Sequence, residues 1–201
     1  MVSGAKRRSV WQFYAAPVVV MVLAYLLPMA SAAMAIHLGD PKALAMRNQL
    51  VKAVSAKGPI AVVARQIHAG RYVRATLTVF LWNFLMGAVV MSTLVGGACF
   101  LLPPLVASGR GLMLGLLFDA ASYRGAQGLV TIGTGILELP NYVLAGALGV
   151  RLGLAWLRLP RRERLREVWE QAKWSLPAVG LLLLLAAVWE VGGIFLLMRR
   201  P

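Results

Sequence analysis

Apolar runs of about twenty residues or more recur along this chain, each long enough as a helix to cross a hydrocarbon core of about 30 Å. They lie at 11–38, 76–102 and 176–198, and a longer, interrupted run occupies 126–157. A soluble domain is about 45–50% apolar and about 25% charged. Here, of 201 residues, 60% are hydrophobic and only 14% are charged. Most of the chain is therefore solvated by hydrocarbon. No alternating pattern of about ten residues recurs, which argues against a membrane β-barrel. The expected fold is all-α: a polytopic transmembrane helical bundle with about five membrane segments, one or two of them short or broken, plus interfacial amphipathic helices. It forms a single integral membrane domain over 1–201.

The first run, 11–38, follows Lys6, Arg7 and Arg8. Its MASAAMA stretch (29–35) offers small residues at signal-cleavage spacing, but the run exceeds the usual h-region of about 7–15 residues and reads as an anchor. Pro28 is expected to kink it. Residues 39–75 form a basic loop carrying Lys42, Arg47, Lys52, Lys57, Arg65, Arg71 and Arg74 against Asp40 alone. Asp40-Pro41 reads as an N-cap followed by Pro at N1, and Gly58-Pro59 as a break, giving two short helices over about 41–57 and 60–74. The second span, 76–102, ends at Pro103-Pro104. Residues 110–135 are expected to be short or re-entrant helices, interrupted by Gly133 and Gly135, before a span over 136–157 that contains Pro140. The alternative is two tilted spans over 110–157. Residues 159–174 pattern as an interfacial amphipathic helix, with Leu165, Val168, Trp169 and Ala172 on one face. The last span is 176–198.

The net charge is +14. No nucleic-acid-binding module accompanies it, so the cations are assigned to the bilayer, where they anchor spans against anionic lipid. They do not set orientation. With five spans, the N-terminus, Arg110 and 158–173 carry ten cations on one side, and 39–75, Arg124 and the C-terminus carry ten on the other. A re-entrant 110–135 would place 39–75 and 158–173 together.

Asp119, Glu138, Arg151 and Glu190 lie in or near apolar runs. A charge at the bilayer centre costs roughly 2.5–3.5 kcal/mol on insertion scales, so such residues face the bundle interior and mark function or a polar clasp between helices. Glu138 stands after Gly133-Thr134-Gly135 and before Pro140, which reads as a helix start where the dipole favours a carboxylate. Asn83, Thr134, Arg110 and the other glutamate are its candidate partners, and the same set serves Glu190. Gly135 leaves room for a second helix to approach.

Catalytic signatures are missing. His37 and His68, the two histidines, have no HExxH spacing, and GxSxG does not occur. His37 reads as a helix-end residue and His68 as part of the basic loop. Cys99 is one small packing residue. No metal site and no cofactor is expected.

Particular stretches resemble the stage II sporulation protein M family of polytopic membrane proteins. They are FLWNFLMGAVV (80–90) with Asn83, RGLMLG (110–115) with Gly111 and Gly115, TGILELPNYVLAGALGVRLG (134–153) with Gly135 and Glu138, and AAVWEVGG (186–193) with Glu190. Thr134 stands where the family usually has His, and Arg110 where it usually has Asn. The resemblance covers about two-thirds of the chain. It implies about five spans in the cell membrane, a cytoplasmic N-terminus with 39–75 outside, and no enzymatic activity. The named member is an engulfment protein that holds cell-wall-degrading partners at the sporulation septum. The expected function is a non-enzymatic scaffold. Its 39–75 loop would recruit peptidoglycan hydrolases or other membrane or extracytoplasmic partners, with a homo-oligomer left open. The alternative is an ion- or proton-coupled transporter or channel using Glu138 and Glu190.

Overall fold

The computed structural model describes residues 10–56, 59–117, 126–158 and 160–198, and every element among them is helical. In order they are α1 (Val10–His37), α2 (Pro41–Ala56), α3 (Pro59–His68), α4 (Tyr72–Leu81), a π-helical segment (Trp82–Leu94), α5 (Val95–Ala98), α6 (Leu102–Leu117), α7 (Ala126–Arg158) and α8 (Arg161–Met198).

Short-range chemistry sets the turns. Gly39, at φ +73°, closes α1: its N–H donates to the Ile36 carbonyl and the Asp40 N–H to the Ala35 carbonyl, a Schellman pairing that needs a left-handed residue. Asp40 then caps α2, its Oδ1 accepting the N–H groups of Lys42 at 2.8 Å and Ala43 at 2.9 Å. Pro41 takes the first helical position, where no N–H is needed. Gly70 (φ +71°) repeats the device after α3, with Gly70 N–H on Ile67 and Arg71 N–H on Gln66. This turn ends α3 at His68 rather than near 74 and starts the next span at Tyr72 rather than Thr76. Asp40→Ala should destabilise the α1–α2 corner by about 1 kcal/mol, read as a lower thermal midpoint of the detergent-solubilised protein.

Three expectations need correction. Pro103-Pro104 does not merely end a span. Cys99 is extended, and the chain re-enters a helix at Leu102 with both prolines in its first turn, so α6 has 16 residues and spans about 24 Å. Nor does a short or re-entrant segment over 110–135 give way to a separate span at 136–157: residues 110–117 belong to α6, and α7 runs 33 residues from Ala126 unbroken through Gly133, Gly135 and Pro140. The Asn141 amide lies one turn past Leu137 and donates to its carbonyl at 2.5 Å, adding a side-chain bond beside the proline, as membrane helices do. Finally, 159–174 is not a separate interfacial helix. Residues 161–174 are continuous with the last span in the 38-residue α8, which at about 1.5 Å per residue is longer than a hydrocarbon core of about 30 Å.

Residue contacts give the direction of every pass. On α6, Gly111 meets the Tyr25 backbone and Gly115 the Met29 backbone, so α6 runs parallel to α1. Asn83 meets Glu138, and Thr93 meets Ala145, so the second span runs parallel to α7. Gly146 abuts Met21 and Tyr142 lies near Tyr25, while Gly133 abuts Trp189 and Gly193 abuts Val130, so α7 is antiparallel to α1 and α8. The passes therefore alternate. Four helices are long and apolar enough to cross a membrane, and the shorter α6 lies beside α1 as a fifth pass. One face of the bundle carries the start of α1, the Cys99–Leu101 turn and residue 160. The other carries α2, α3 and the end of α8.

Many large apolar side chains point outward, and alanines contribute to the buried contacts beside Met21, Leu148 and Leu183. Val19, Leu23, Leu27, Leu181, Leu185 and Val188 are exposed, while Ala88, Ala145, Ala147, Ala186 and Ala187 are buried. Such a surface is stable against acyl chains, and small residues let helices approach closely. The Cβ of any residue replacing Gly111, Gly149 or Gly153 would strike a carbonyl oxygen, of Tyr25, Ser92 and Gly96 respectively. The alternation predicts opposite labelling in a Cys99→Ala background: Arg71→Cys and Glu163→Cys should react with impermeant maleimide from opposite sides of sealed vesicles. Labelling from the same side would refute the five-pass order.

Candidate functional site

The polar groups buried among the spans come from five passes. On the π-helical segment, turns are wider than in an α-helix, and π geometry commonly marks functional positions. Its hydroxyls follow the wider spacing: Ser92 donates to the Gly87 carbonyl at 2.7 Å and Thr93 to the Ala88 carbonyl at 3.0 Å, each five residues back. Thr93 also reaches the Ala145 carbonyl at 3.2 Å and ties the segment to α7. Near the start of the segment, the Asn83 amide donates to Glu138 Oε1 at 2.7 Å.

Arg110 enters from α6. Its guanidinium lies over the Tyr142 ring, 4.1 Å from the centroid, a cation–π contact. Gly87 makes the room, since a Cβ there would stand 2.9 Å from both Arg110 Nη2 and Tyr142 Cε1. Arg110 and Glu190 lie near Glu138, and Arg110 and Glu138 lie near Tyr25 of α1. Glu138 and Glu190 line one cavity of about 1080 Å³, together with Tyr25, Asn83 and Thr134. Its remaining wall is mostly apolar, and one face of α3 (Ile60, Val63, Ala64, Ile67 and His68) bounds it on the α2–α3 side of the bundle.

The candidate residues thus divide. Asn83, Glu138, Arg110 and Glu190 converge. Thr134 lines the same cavity, but its hydroxyl donates to the Val130 carbonyl at 3.0 Å rather than to a glutamate. Gly135 also lines it, yet a Cβ there would meet nothing within 4 Å, so no helix approaches at that point. The close approach is at Gly133, against Trp189, whose indole N–H donates to the Val130 carbonyl at 3.1 Å. Glu138 stands twelve residues into α7 rather than at its start, so the dipole argument fails and Asn83 and Arg110 take its place. Asp119 and Lys57 lie outside the described residues. Arg151 sits toward the opposite end of α7.

Lys42, Arg47 and Lys52 lie on α2, Arg65 on α3 and Arg71 in the Gly70 turn, while Arg74 belongs to the first turn of the span itself. His68 is not merely part of the basic loop, since it borders the cavity. Sequence reasoning missed Tyr25 and Tyr142. Each is an aromatic residue in an apolar run with no motif around it, and only the convergence of α1, α6 and α7 reveals it.

Alternating apolar passes around buried polar side chains define a polytopic helical membrane protein. Residues 13–192 match the family model of Stage II sporulation protein M, and the chain belongs to that family. The match extends past the stretches that carry the resemblance and takes in nearly the whole described bundle. No curated protein and no solved structure matches the chain.

Proposed function

We propose that the protein is a non-enzymatic scaffold of the cell membrane. In this reading the helix pair α2–α3 recruits partners that remodel the cell wall, during engulfment or a related envelope process. The observation that carries the reading is how this pair is held. It is not a slack linker. Ala43 of α2 is buried with Ala32 and Ile36 of α1 and Leu116 of α6, and Ile67 of α3 is buried with Ala75 of α4 and Val191 of α8. Four passes therefore fix its position at one face of the membrane. Its outward side carries Lys42, Lys52, Arg65 and Arg71, all exposed. A rigid basic platform suits an acidic protein surface, because charge complementarity steers encounter and fixes register. Family membership supports the same reading, since the family is not a known enzyme family.

The test is co-purification after mild cross-linking in the native membrane. Reversing Lys42, Lys52, Arg65 and Arg71 to Glu should remove wall-remodelling partners while membrane insertion and yield stay at parent levels. Partners retained by the inserted variant would overturn the proposal.

A further inference from the structure

The cavity is too large and too apolar to be explained as a helix clasp. Its volume of about 1080 Å³ lies just above the range of clefts that take drug-sized molecules, about 300–1,000 Å³, and it is a half-open cleft rather than a closed chamber. Among its lining residues Glu138 and Glu190 are the two carboxylates, and none is Lys or Arg. Glu138 has Asn83 as a hydrogen-bond donor and Arg110 as a nearby positive charge. Glu190 lines the same cavity and, among the described residues, forms no ion pair.

This composition selects the occupant. An anion would meet two carboxylates. A neutral apolar molecule would leave the Glu190 carboxylate facing hydrocarbon without a partner, which is costly. A hard divalent cation takes about six to eight oxygens, more than two carboxylates and one amide supply. A positive group carried on an apolar body satisfies both parts of the wall at once.

We propose that this cavity is a binding site for an amphipathic organic cation. Its positive group is held between Glu190 and Glu138, and its apolar body packs against Met29, Val63, Ile136, Leu139 and Ile194. Such a molecule reaches the site by partitioning into the bilayer, and α3 forms the wall on the α2–α3 side.

The probe is tetraphenylphosphonium, measured as saturable binding of the labelled cation to the purified full-length chain in detergent. Glu190→Gln keeps the shape and removes the charge, and should weaken binding at least about tenfold, as loss of a charge-assisted contact implies. Tetramethylammonium, with the charge but little apolar body, should compete at least about a hundredfold less well. Gly135→Leu adds bulk at a lining position where a Cβ meets nothing within 4 Å, and should abolish binding in a protein that stays monodisperse. Absence of saturable binding, unchanged affinity in Glu190→Gln, unchanged affinity in Gly135→Leu, or equal competition by tetramethylammonium would each overturn the assignment.

Discussion

Gly149→Leu should leave almost no monodisperse protein. A Cβ at Gly149 falls against the Ser92 carbonyl oxygen and within 3.2 Å of Pro103 Cγ. Both belong to backbone-fixed parts of neighbouring passes, so neither can swing aside. The reciprocal position is equally tight, since a Cβ at Gly96 would stand 2.5 Å from the Gly149 backbone. Overpacking a core usually costs about 1–3 kcal/mol when side chains can adjust. Here the obstacle is a carbonyl, and the expected cost exceeds that range. The contrast is Gly135→Ala on the same helix, where a Cβ meets nothing. It should be neutral or stabilising by up to about 1 kcal/mol through helix propensity. Size-exclusion profiles and thermal midpoints of the two variants in one detergent make the comparison. Equal behaviour would mean that α7 does not touch the second span as described.

Arg110→Met should be the most damaging change within the polar cluster. It removes the positive charge near Glu138 while keeping much of the apolar stem that packs beside Tyr142. Arg110 and Glu138 form no ion pair in the structure, but removing the nearby positive charge leaves the sheltered carboxylate with Asn83 as its one hydrogen-bond donor among the described residues, at an expected cost of about 1–3 kcal/mol. The charge contribution is isolated by adding Glu138→Gln, which removes the stranded charge and keeps an acceptor for Asn83. The double variant should recover about 0.5–3 kcal/mol relative to additivity. Strict additivity in denaturation midpoints would show that Arg110 stabilises only through Tyr142.

The contrast between these glycines also shows what was legible in the sequence. Gly133 and Gly135 look alike in a Gly-Thr-Gly step, yet one is pressed against Trp189 and the other faces a void. Nothing local separates them, since the difference lies in where α8 crosses. Turn chemistry, by contrast, was legible. Asp40-Pro41 caps α2 as its residue types require, because an N-cap is decided by atoms within three residues. Gly70 was the missed signal: an isolated glycine followed by Arg71 and Tyr72 gives no stronger mark than many others, yet it ends α3.

Asn83, Glu138, Arg110 and Glu190 stood out because charge and amide are expensive in hydrocarbon. Their pairing did not. Asn83 and Glu138 are 55 residues apart, and no periodicity within either span chooses a partner on the other. The unbroken α7 makes the same point, as glycine and proline weaken a helix in water, whereas in lipid the unsatisfied backbone groups of a break cost more than the helix does.

Hydrophobicity by itself determined that this chain crosses a membrane repeatedly as helices, for that follows from the free energy of each segment alone. It also determined which side chains must be sheltered there. Only the tertiary structure decided that α6 completes a fifth pass beside α1, that Asn83 and Arg110 attend Glu138, and that both glutamates border one cavity. Helix packing in lipid rests on close contacts between small residues of distant segments, and such contacts exist only after the helices have met.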